Sequence, residues 1–193
     1  MVASKQKKKI GIYSGSFNPI HIGHLALANW LCEYTDIDEI WFLVTPQNPF
    51  KQETNLMDDN LRLELVRIAV GDYPKFKVSN FEFSLPRPSY TIHTLRALSK
   101  SYPDYNFALI MGADNWIKFH NWKNHEDILN EHEIIVYPRK GYKIEDGRID
   151  SQRMHYVKAP EIEISSTFIR ESIKQNKDIR FFLPDKIRDL LQP

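Results

Sequence analysis

Residues 10–25 read IGIYSGSFNPIHIGHL and join three local patterns in a fixed order. Ile10 and Ile12 alternate with other residues beside a glycine, which predicts a short buried strand. Turn-forming residues follow at 15–19, and from Ile22 onward the apolar residues recur at helical spacing. The stretch therefore predicts a strand, a glycine-containing turn and the start of a helix, which together open an α/β unit.

Two histidines, His21 and His24, lie at the start of this predicted helix, with Gly23 between them. Residues three apart share one face of a helix, so both imidazoles can reach the same ligand. A helix N-terminus adds free backbone N–H groups and the positive end of the peptide dipole, which suit a phosphate. The stretch is neither G-x-G-x-x-G nor a Walker P-loop. One histidine here would most simply cap the helix or lie on the surface, but two of them after a strand and a turn favour a phosphate site.

Apolar runs of strand length recur along the chain. The later strands are predicted at 40–44, 76–78, 105–111, 133–137 and 154–157, with 81–83 as a candidate edge extension. A strand, a helix and a strand within about 35 residues form a βαβ unit with a right-handed crossover. We therefore predict a Rossmann-like, doubly wound α/β fold, with helices on both faces of a mainly parallel sheet of five or six strands. Residues 9–193 are predicted to form a single domain after a disordered basic tail at 1–8.

The composition excludes several classes of protein. A formal net charge of +1 gives no bulk attraction to nucleic acid or to an anionic membrane. No apolar run approaches the ~18 residues of a membrane span, and no apolar segment of a signal peptide follows the basic N-terminus. The single cysteine, Cys32, cannot form an intramolecular disulfide. We therefore expect a cytoplasmic protein.

A second helix is predicted to begin at Asp58 and Asp59 and to stop at Gly71. It carries an apolar stripe that is typical of core packing: Leu61, Leu65, Ile68 and Ala69. Arg62 and Arg67 lie off that stripe, and both are predicted to be solvated.

Polar residues follow three of the predicted strands, at the edge of a parallel sheet where ligands bind. Lys51 lies in a proline-containing loop after the second strand and is either a phosphate contact or one exposed lysine among many. Gly112 and Asp114 follow the fourth strand, and the carboxylate can accept from ribose hydroxyls or cap the next helix. Arg139 lies just past the fifth strand, where a phosphate could meet it.

Ser165, Ser166 and Thr167 place three hydroxyls at a predicted helix start, and Arg170 lies one turn further on. Ser165 is suited to the N-cap position. On these residues alone, a plain capped amphipathic helix and a ligand site both stay open.

A loop with two prolines leads into Ser89, Tyr90 and Thr91, where another helix is predicted to begin. The two hydroxyls suit helix capping, and backbone donors at a helix start also suit a carboxylate. Trp116 and Trp122 have a spacing that is more typical of core packing than of a ligand site, and Trp116 is interpreted as core.

The sequence G-S-F-N-P-I-H-I-G-H resembles the (H/T)-x-G-H signature of the nucleotidyltransferase superfamily, and I-S-S-T-F-I-R resembles its second signature, I-S-S-T-x-I-R. More narrowly, residues 9–191 are similar to bacterial nicotinate-nucleotide adenylyltransferases. The two phosphate motifs are highly specific when they occur together, whereas the acceptor-side motifs are less so. The resemblance implies that ATP and nicotinate mononucleotide give nicotinate adenine dinucleotide and pyrophosphate, a step of NAD biosynthesis.

The resemblance also implies roles for the residues that match the motifs. Those expected to act during transfer are His21, His24, Lys51 and Arg170, with His24 nearest the transferring group. ATP is expected to contact Gly15, Ser16, Phe17, His21, His24, Gly112, Asp114, Ser165, Ser166, Thr167 and Arg170. Nicotinate mononucleotide is expected to contact Phe17, Lys51, Ser89, Tyr90, Thr91, Trp122 and Arg139, with Trp122 stacked on the pyridine ring. Mg²⁺ is expected on the ATP phosphates, without a dedicated cage of protein carboxylates.

Several alternatives stay open. Phe50 stands where the family often has a histidine before the loop lysine, so that histidine's role cannot be carried over. Pantetheine-phosphate adenylyltransferases share the phosphate motifs, although Trp122, the loop at 89–91 and the longer chain argue against that activity. A nucleotide-sensing module without chemistry is another alternative. A serine hydrolase using Ser16 or Ser166 is disfavoured because the chain has no G-x-S-x-G elbow. The acid is expected to be preferred over the amide, but neither the degree of that preference nor the oligomeric state follows from the sequence, and a homo-oligomer is compatible with it.

Overall fold

The computed structural model describes residues 7–46, 56–144 and 152–191. The strands within these ranges are β1 (Lys8–Gly15), β2 (Glu39–Val44), β3 (Phe76–Ser79), β4 (Tyr105–Gly112), β5 (Glu133–Tyr137) and β6 (Met154–Tyr156). They form one sheet in the order β3-β2-β1-β4-β5-β6, and every neighbouring pair is parallel. The prediction of a mainly parallel sheet of five or six strands is confirmed.

β1 lies at the centre of the sheet, where Ile12 pairs with Trp41 of β2 on one side and Leu109 of β4 on the other. The chain winds outward from β1 to β3, crosses back to β4, and then winds outward to β6 on the opposite side. The direction of winding therefore reverses between β1 and β4. In open α/β sheets, ligands bind beyond the carboxyl ends of the strands at such a reversal.

Helices cover both faces of the sheet. They are α1 (Ile22–Tyr34), α2 (Asp59–Val70), α3 (Thr91–Ser101), α4 (Ala113–Trp116), α5 (His125–Glu131), α6 (Ser166–Lys174) and α7 (Asp185–Leu191). Successive strand residues enter different cores: Phe42 packs with α1, α2, α6 and α7, whereas Trp41 packs with α3 and α5. This alternation confirms a doubly wound fold. Within the described ranges, no helix is both long and apolar enough to cross a membrane.

β1 begins at Lys8, so the boundary predicted for the N-terminal tail, residues 1–8, is wrong at its last residue. Lys8 is in register with Tyr105 of β4, and its ammonium group donates to the carboxylate of Glu39. This pairing and this charged contact hold Lys8 in the sheet. Residues 1–6 lie outside the described residues.

The segment at 81–83, predicted as a candidate edge extension, is instead part of a 3₁₀ helix, Phe81–Ser84. The Leu85 N–H donates to the Glu82 carbonyl oxygen at 3.2 Å. A hydrogen bond between residues three apart in the chain is the pattern of a 3₁₀ helix. Glu82 faces inward, and its carboxylate accepts a hydrogen bond from Thr94 Oγ1 at 2.8 Å. The alternation of apolar and polar residues was therefore misleading, because the buried residue is the polar one.

The face of helix α2 that is buried differs from the apolar stripe predicted to face the core. Leu61, which was predicted in the core, is 47% exposed, whereas Arg62, which was predicted to be solvated, is fully buried. The buried apolar residues of the helix are Leu63, Leu65, Val66 and Val70. Arg67 is exposed, as predicted. A buried guanidinium is tolerated only where hydrogen bonds and a counter-charge replace water, and Arg62 has both.

Candidate active site

The two histidines lie at the carboxyl edge of the sheet, where β1 passes through a turn into α1. His21 is the N-cap residue of α1, and His24 is the third residue of the helix. Their rings stack with centroids 3.7 Å apart and planes inclined by 25°. The backbone N–H of His21 donates to His24 Nδ1 at 3.3 Å. The structure thus brings the two imidazoles together on one face of the helix start.

Gly23 makes room for this stacked pair. A Cβ atom at this position would lie 3.0 Å from His21 Nδ1 and 3.4 Å from Ile162 Cγ2. The first of these distances is tighter than ordinary van der Waals contact, so a side chain at position 23 would displace the His21 ring. The glycine of the H-x-G-H motif is therefore needed for the geometry of the histidines.

The turn before α1 is folded around Phe17. Its backbone lies in the left-handed region, with φ of 43°, and its side chain is 2% exposed. The ring meets His24 edge-on with centroids 5.1 Å apart and Tyr13 edge-on at 5.6 Å. Phe17 therefore supports the histidines from within the core, and its side chain offers no surface to a ligand.

Both histidines are neutral at pH 7. Burial and the positive charge of Arg139 lower the pKa of His21 to about 4. Burial, with His21 and Arg139 as further causes, lowers the pKa of His24 well below its ordinary value. A neutral imidazole donates through one ring nitrogen and accepts through the other. The pair therefore meets a ligand as hydrogen-bonding groups, and an anionic ligand would raise both pKa values.

Arg139 lines a narrow pocket together with the two histidines. Its Nε lies 3.7 Å from Asp114 Oδ1, and its Nη2 donates to Tyr137 Oη at 3.2 Å. Gly112 allows this approach, because a Cβ atom there would lie 3.0 Å from Arg139 Cγ and closer still to the Asp114 carboxylate. The strand-end residues predicted at 112, 114 and 139 thus meet at one place.

Three buried polar atoms of this group have no hydrogen-bond partner among the described residues: His21 Nδ1, Asp114 Oδ1 and Arg139 Nε. Buried polar atoms in folded proteins are nearly always paired, so each exception needs a reason. Here the unpaired atoms belong to an imidazole, a carboxylate and a guanidinium beside one pocket. An imidazole, a guanidinium and a carboxylate together suit an anionic ligand that binds with a cation: the first two can donate to the anion and the third can bind the cation.

The N-terminus of α6 is anchored to the turn that precedes the histidines. Ser165 is the N-cap, as predicted, and its Oγ accepts from the Phe168 N–H at 3.1 Å. Ser166 Oγ donates to the Pro19 carbonyl oxygen at 2.9 Å, and Arg170 Nη1 donates to the Asn18 carbonyl oxygen at 2.8 Å. Distant parts of the chain therefore converge on one turn. The histidine cluster is the name used below for His21, His24, Asp114, Arg139 and the N-terminus of α6.

A second group of predicted residues lies at the start of α3. Thr91 is the first residue of α3, Tyr90 is its N-cap residue, and the buried Ser89 Oγ has no hydrogen-bond partner in the described ranges. Lys123 Nζ lies 4.3 Å from the centroid of the Tyr90 ring, which joins this loop to the segment that holds Trp122. Trp122 is half-buried and packs at 5.6 Å on Phe119. The Trp122 cluster is the name used below for Ser89, Tyr90, Thr91, Trp122 and Lys123.

None of the Trp122 cluster lines the pocket beside the histidines, so the structure gathers the predicted residues into two groups. Lys51 and Phe50 lie outside the described residues. The residues that line the pocket include two tyrosines that were not predicted as site residues, Tyr13 and Tyr137. Tyr137 was interpreted only as part of the predicted strand at 133–137, and Tyr13 was given no role. Their signal was their position near the carboxyl ends of parallel strands: Tyr13 lies near the end of β1, at the reversal point, and Tyr137 is the last residue of β5.

Comparisons with known proteins agree with this architecture. The family profile described as Cytidylyltransferase-like matches residues 12–172. A curated relative from Bacteroides fragilis, named "Probable nicotinate-nucleotide adenylyltransferase", is 56% identical over 92% of this chain and 88% of its own. A relative of the same name from Flavobacterium psychrophilum is 53% identical over 93% of each chain.

Solved structures share the fold. The nicotinic acid mononucleotide adenylyltransferase of Plasmodium falciparum, complexed with NaAD, superposes with a TM-score of 0.78. The match covers 95% of this chain and 96% of that one at 21% sequence identity. At that identity the similarity concerns the fold alone.

Proposed function

Because the chain belongs to the cytidylyltransferase-like family, and within it to the nicotinate-nucleotide adenylyltransferases, we infer that it transfers the adenylyl group of ATP to nicotinate mononucleotide. The products are nicotinate adenine dinucleotide and pyrophosphate, and the reaction is a step of NAD biosynthesis. The observation that carries this inference is the identity of 56% to a relative of that name over 92% of the chain. The stacked, neutral histidines at the reversal point of the sheet are the groups that such a reaction needs.

The proposed reaction needs no protein nucleophile. A phosphate oxygen of the mononucleotide attacks the α-phosphorus of ATP, and a new P–O bond forms while the bond to the β-phosphate oxygen breaks. Pyrophosphate leaves with the electron pair of that bond. The protein contributes alignment of the two phosphates and stabilisation of the charge that develops between them. We assign His21 and His24 to hydrogen bonds with the ATP phosphates, with His24 nearest the transferring group.

Cationic side chains are proposed to balance the phosphate charge. Arg139 Nε lies beside the histidines without a hydrogen-bond partner among the described residues, and the guanidinium of Arg170 has N–H groups beyond the one that holds Asn18. Lys51 is assigned the same task on the resemblance alone. The remaining contacts with ATP are assigned to the backbone of Gly15, Ser16, Phe17 and Gly112, to Asp114, and to the hydroxyls of Ser165, Ser166 and Thr167.

The Trp122 cluster is proposed to bind the pyridine nucleotide. A half-buried indole offers a flat apolar face to the pyridine ring, and stacking of this kind is worth about 1 kcal/mol beyond burial. The unpaired Ser89 hydroxyl and the N–H groups at the start of α3 suit the nicotinate carboxylate. This assignment makes the acid, rather than the amide, the preferred substrate.

Mg²⁺ is proposed to arrive with ATP. Among the described residues, no group of three or more His, Cys, Asp or Glu side chains could hold a metal ion. Asp114 offers one carboxylate oxygen beside the pocket, and Mg²⁺ commonly binds through one or two carboxylates together with substrate phosphates. When bound, the ion would neutralise phosphate charge. We further propose that the chain acts in the cytoplasm as a single domain.

The test is pyrophosphate release by the purified protein with ATP, Mg²⁺ and a panel of phosphorylated acceptors. The panel contains nicotinate mononucleotide, nicotinamide mononucleotide and 4′-phosphopantetheine. We expect turnover with the first, at least about 10-fold lower kcat/KM with the second, and none with the third. Preference for the amide would contradict the role of the Trp122 cluster, and turnover only with phosphopantetheine would contradict the proposed substrate.

A further inference from the structure

Arg62 is the largest fully buried side chain of the described residues, and it is not adjacent to either cluster in the sequence. Its Nη1 donates to the carbonyl oxygens of Ser16 and Thr45, the latter at 2.9 Å. Its Nε donates to the Met57 carbonyl oxygen at 3.0 Å. Three separate segments therefore meet on one guanidinium: the turn before α1, the loop that leaves β2, and the residues that precede α2.

Asp59 supplies the counter-charge and continues the network. One of its carboxylate oxygens accepts from Arg62 Nη2, and the other accepts from Arg87 Nη2 at 3.0 Å. Arg87 lies in the loop that leads into the Trp122 cluster. The carboxylate thus links a buried guanidinium to an exposed one.

The network also reaches the histidine cluster from the other end. The Asn18 side-chain oxygen accepts from the Met57 N–H at 3.1 Å, and the Asn18 carbonyl oxygen accepts from Arg170. A continuous chain of polar contacts therefore runs from the N-terminus of α6, through the turn before α1, to Arg62 and on to Arg87. Arg62 is the point where this chain crosses from one cluster to the other.

We propose that Arg62 is a positioning residue that fixes the histidine cluster relative to the Trp122 cluster, so that the two substrates meet in line. The proposal for Arg62 rests on the proposed function, because that function assigns one of the two substrates to each cluster. Transfer between phosphates depends steeply on the alignment of the attacking oxygen, the phosphorus and the leaving group. A residue that holds both clusters can therefore change the rate of transfer without touching either substrate.

The guanidinium is well suited to this task, and an ammonium group is not. Arg62 donates in three directions from one rigid plane to carbonyl oxygens and a carboxylate. Lysine keeps the charge, but its single nitrogen cannot reach acceptors that are spread around the edge of that plane. Arg62→Lys therefore preserves the buried ion pair while it releases part of the network.

The experiment compares Arg62→Lys with wild type for kcat, for both KM values and for the folded fraction. We expect kcat to fall about 10- to 100-fold while the KM for ATP and the KM for nicotinate mononucleotide each change less than about 3-fold. A merely structural role would lower the melting temperature and leave the kcat of the folded enzyme unchanged. A folded Arg62→Lys protein with kcat within 2-fold of wild type would overturn the proposal.

Two further variants keep the test decisive. Arg67→Lys is the matched control, because Arg67 lies on the same helix, is exposed and lies 3.6 Å from Glu64, and its kcat should equal that of wild type. If Arg62→Lys does not fold, Asp59→Asn is used as the test instead. It weakens the ion pair between Asp59 and Arg62 at a residue that is partly exposed. We expect a 3- to 10-fold lower kcat with unchanged KM values, and an unchanged kcat would overturn the proposal.

Failure of the proposed function is recognised separately. If wild type does not use nicotinate mononucleotide, the proposed function is wrong, and the same variants are then compared with the acceptor of the panel that wild type does use. A selective loss of kcat with that acceptor would still support the positioning role, and unchanged kcat would still overturn it.

Discussion

The histidine cluster and the Trp122 cluster differ in how tightly the fold holds them. In the first, His21 is 3% exposed, its ring stacks on the ring of His24, and α6 is anchored by side-chain hydrogen bonds to backbone carbonyl oxygens. In the second, Tyr90, Thr91 and Trp122 are all half-buried, and a cation–π contact from Lys123 joins the two segments. Fewer buried contacts give a segment lower local stability. The histidine cluster is therefore shaped before its ligand arrives, whereas the Trp122 cluster can adjust to its ligand.

The largest expected effect comes from His24→Ala in the tightly held cluster. The substitution removes a hydrogen-bonding group that is fixed beside the transferring phosphate in our assignment. Removing one preorganised group of this kind typically costs a factor of about 10² to 10³ in kcat. We therefore expect kcat to fall by more than about 10²-fold, measured as pyrophosphate release, while the circular dichroism spectrum is unchanged.

His155→Ala is the matched control for this prediction. His155 is half-exposed on β6, where its Nε2 lies 3.4 Å from Glu133, and it contacts neither cluster. Its removal should leave kcat within about 2-fold of wild type. Near-normal turnover in His24→Ala would mean that the histidine cluster is not the site of transfer.

Trp122→Ala tests the adjustable cluster, where the expected effect is smaller and appears in binding. Loss of the stacking surface should raise the KM for nicotinate mononucleotide about 10-fold, or about 1.4 kcal/mol, because stacking and burial are lost together. The KM for ATP should stay within about 2-fold. Steady-state kinetics with each substrate varied in turn makes the measurement.

Trp116→Ala distinguishes this effect from a loss of packing. The Trp116 ring stacks on Phe119 with centroids 5.2 Å apart, and the residue belongs to neither cluster. Its removal should lower the melting temperature and change neither KM. If Trp122→Ala raised only the KM for ATP, the substrates assigned to the two clusters would have to be exchanged.

The sequence predicted the tightly held cluster better than the adjustable one, for a physical reason. His21, Gly23 and His24 are close in the chain, so the helical repeat alone places the two imidazoles on one face. Tyr90 and Lys123 come from segments more than thirty residues apart, and only the fold brings their side chains into contact. Residues just past β4 and β5 were predicted as site residues because parallel strands end at one edge of the sheet, but their mutual contact could not be foreseen.

Arg62 was misjudged because helical spacing alone does not fix which face of a helix is buried. The residues Leu61, Leu65 and Ile68 form an acceptable stripe, but the buried face passes through position 62 instead. An arginine on that face is unexpected unless acceptors from other loops surround it, and those loops are distant in the sequence. The signal that could have been used is the spacing of Arg62 from Val66 and Val70, at four and eight residues.

Two buried groups, one in the histidine cluster and one just before the Trp122 cluster, change stability with pH in opposite directions. Burial lowers the pKa of His21 from its ordinary 6.5 to about 4, so the unfolded state binds more protons between these values. Stability from this group is therefore lost as the pH falls from 6.5 to 4.

Burial raises the pKa of Glu82 from 4.5 to about 7, although the hydrogen bond from Thr94 acts against the rise. Here the folded state binds more protons, and stability is lost as the pH rises from 4.5 to 7.

Glu82→Gln isolates the second of these contributions. Glu82 precedes the loop of the Trp122 cluster, and glutamine can still accept the hydrogen bond from Thr94 without carrying a charge. We expect the free energy of unfolding of the variant, relative to wild type, to rise by about 2.5 kcal/mol between pH 5 and pH 8, measured by urea denaturation. The exposed Glu64→Gln variant should show a difference that stays within about 0.3 kcal/mol over the same range. A Glu82→Gln difference that is equally independent of pH would mean that the segment before the Trp122 cluster opens to water, and the contrast in pH dependence between the two clusters would then be lost.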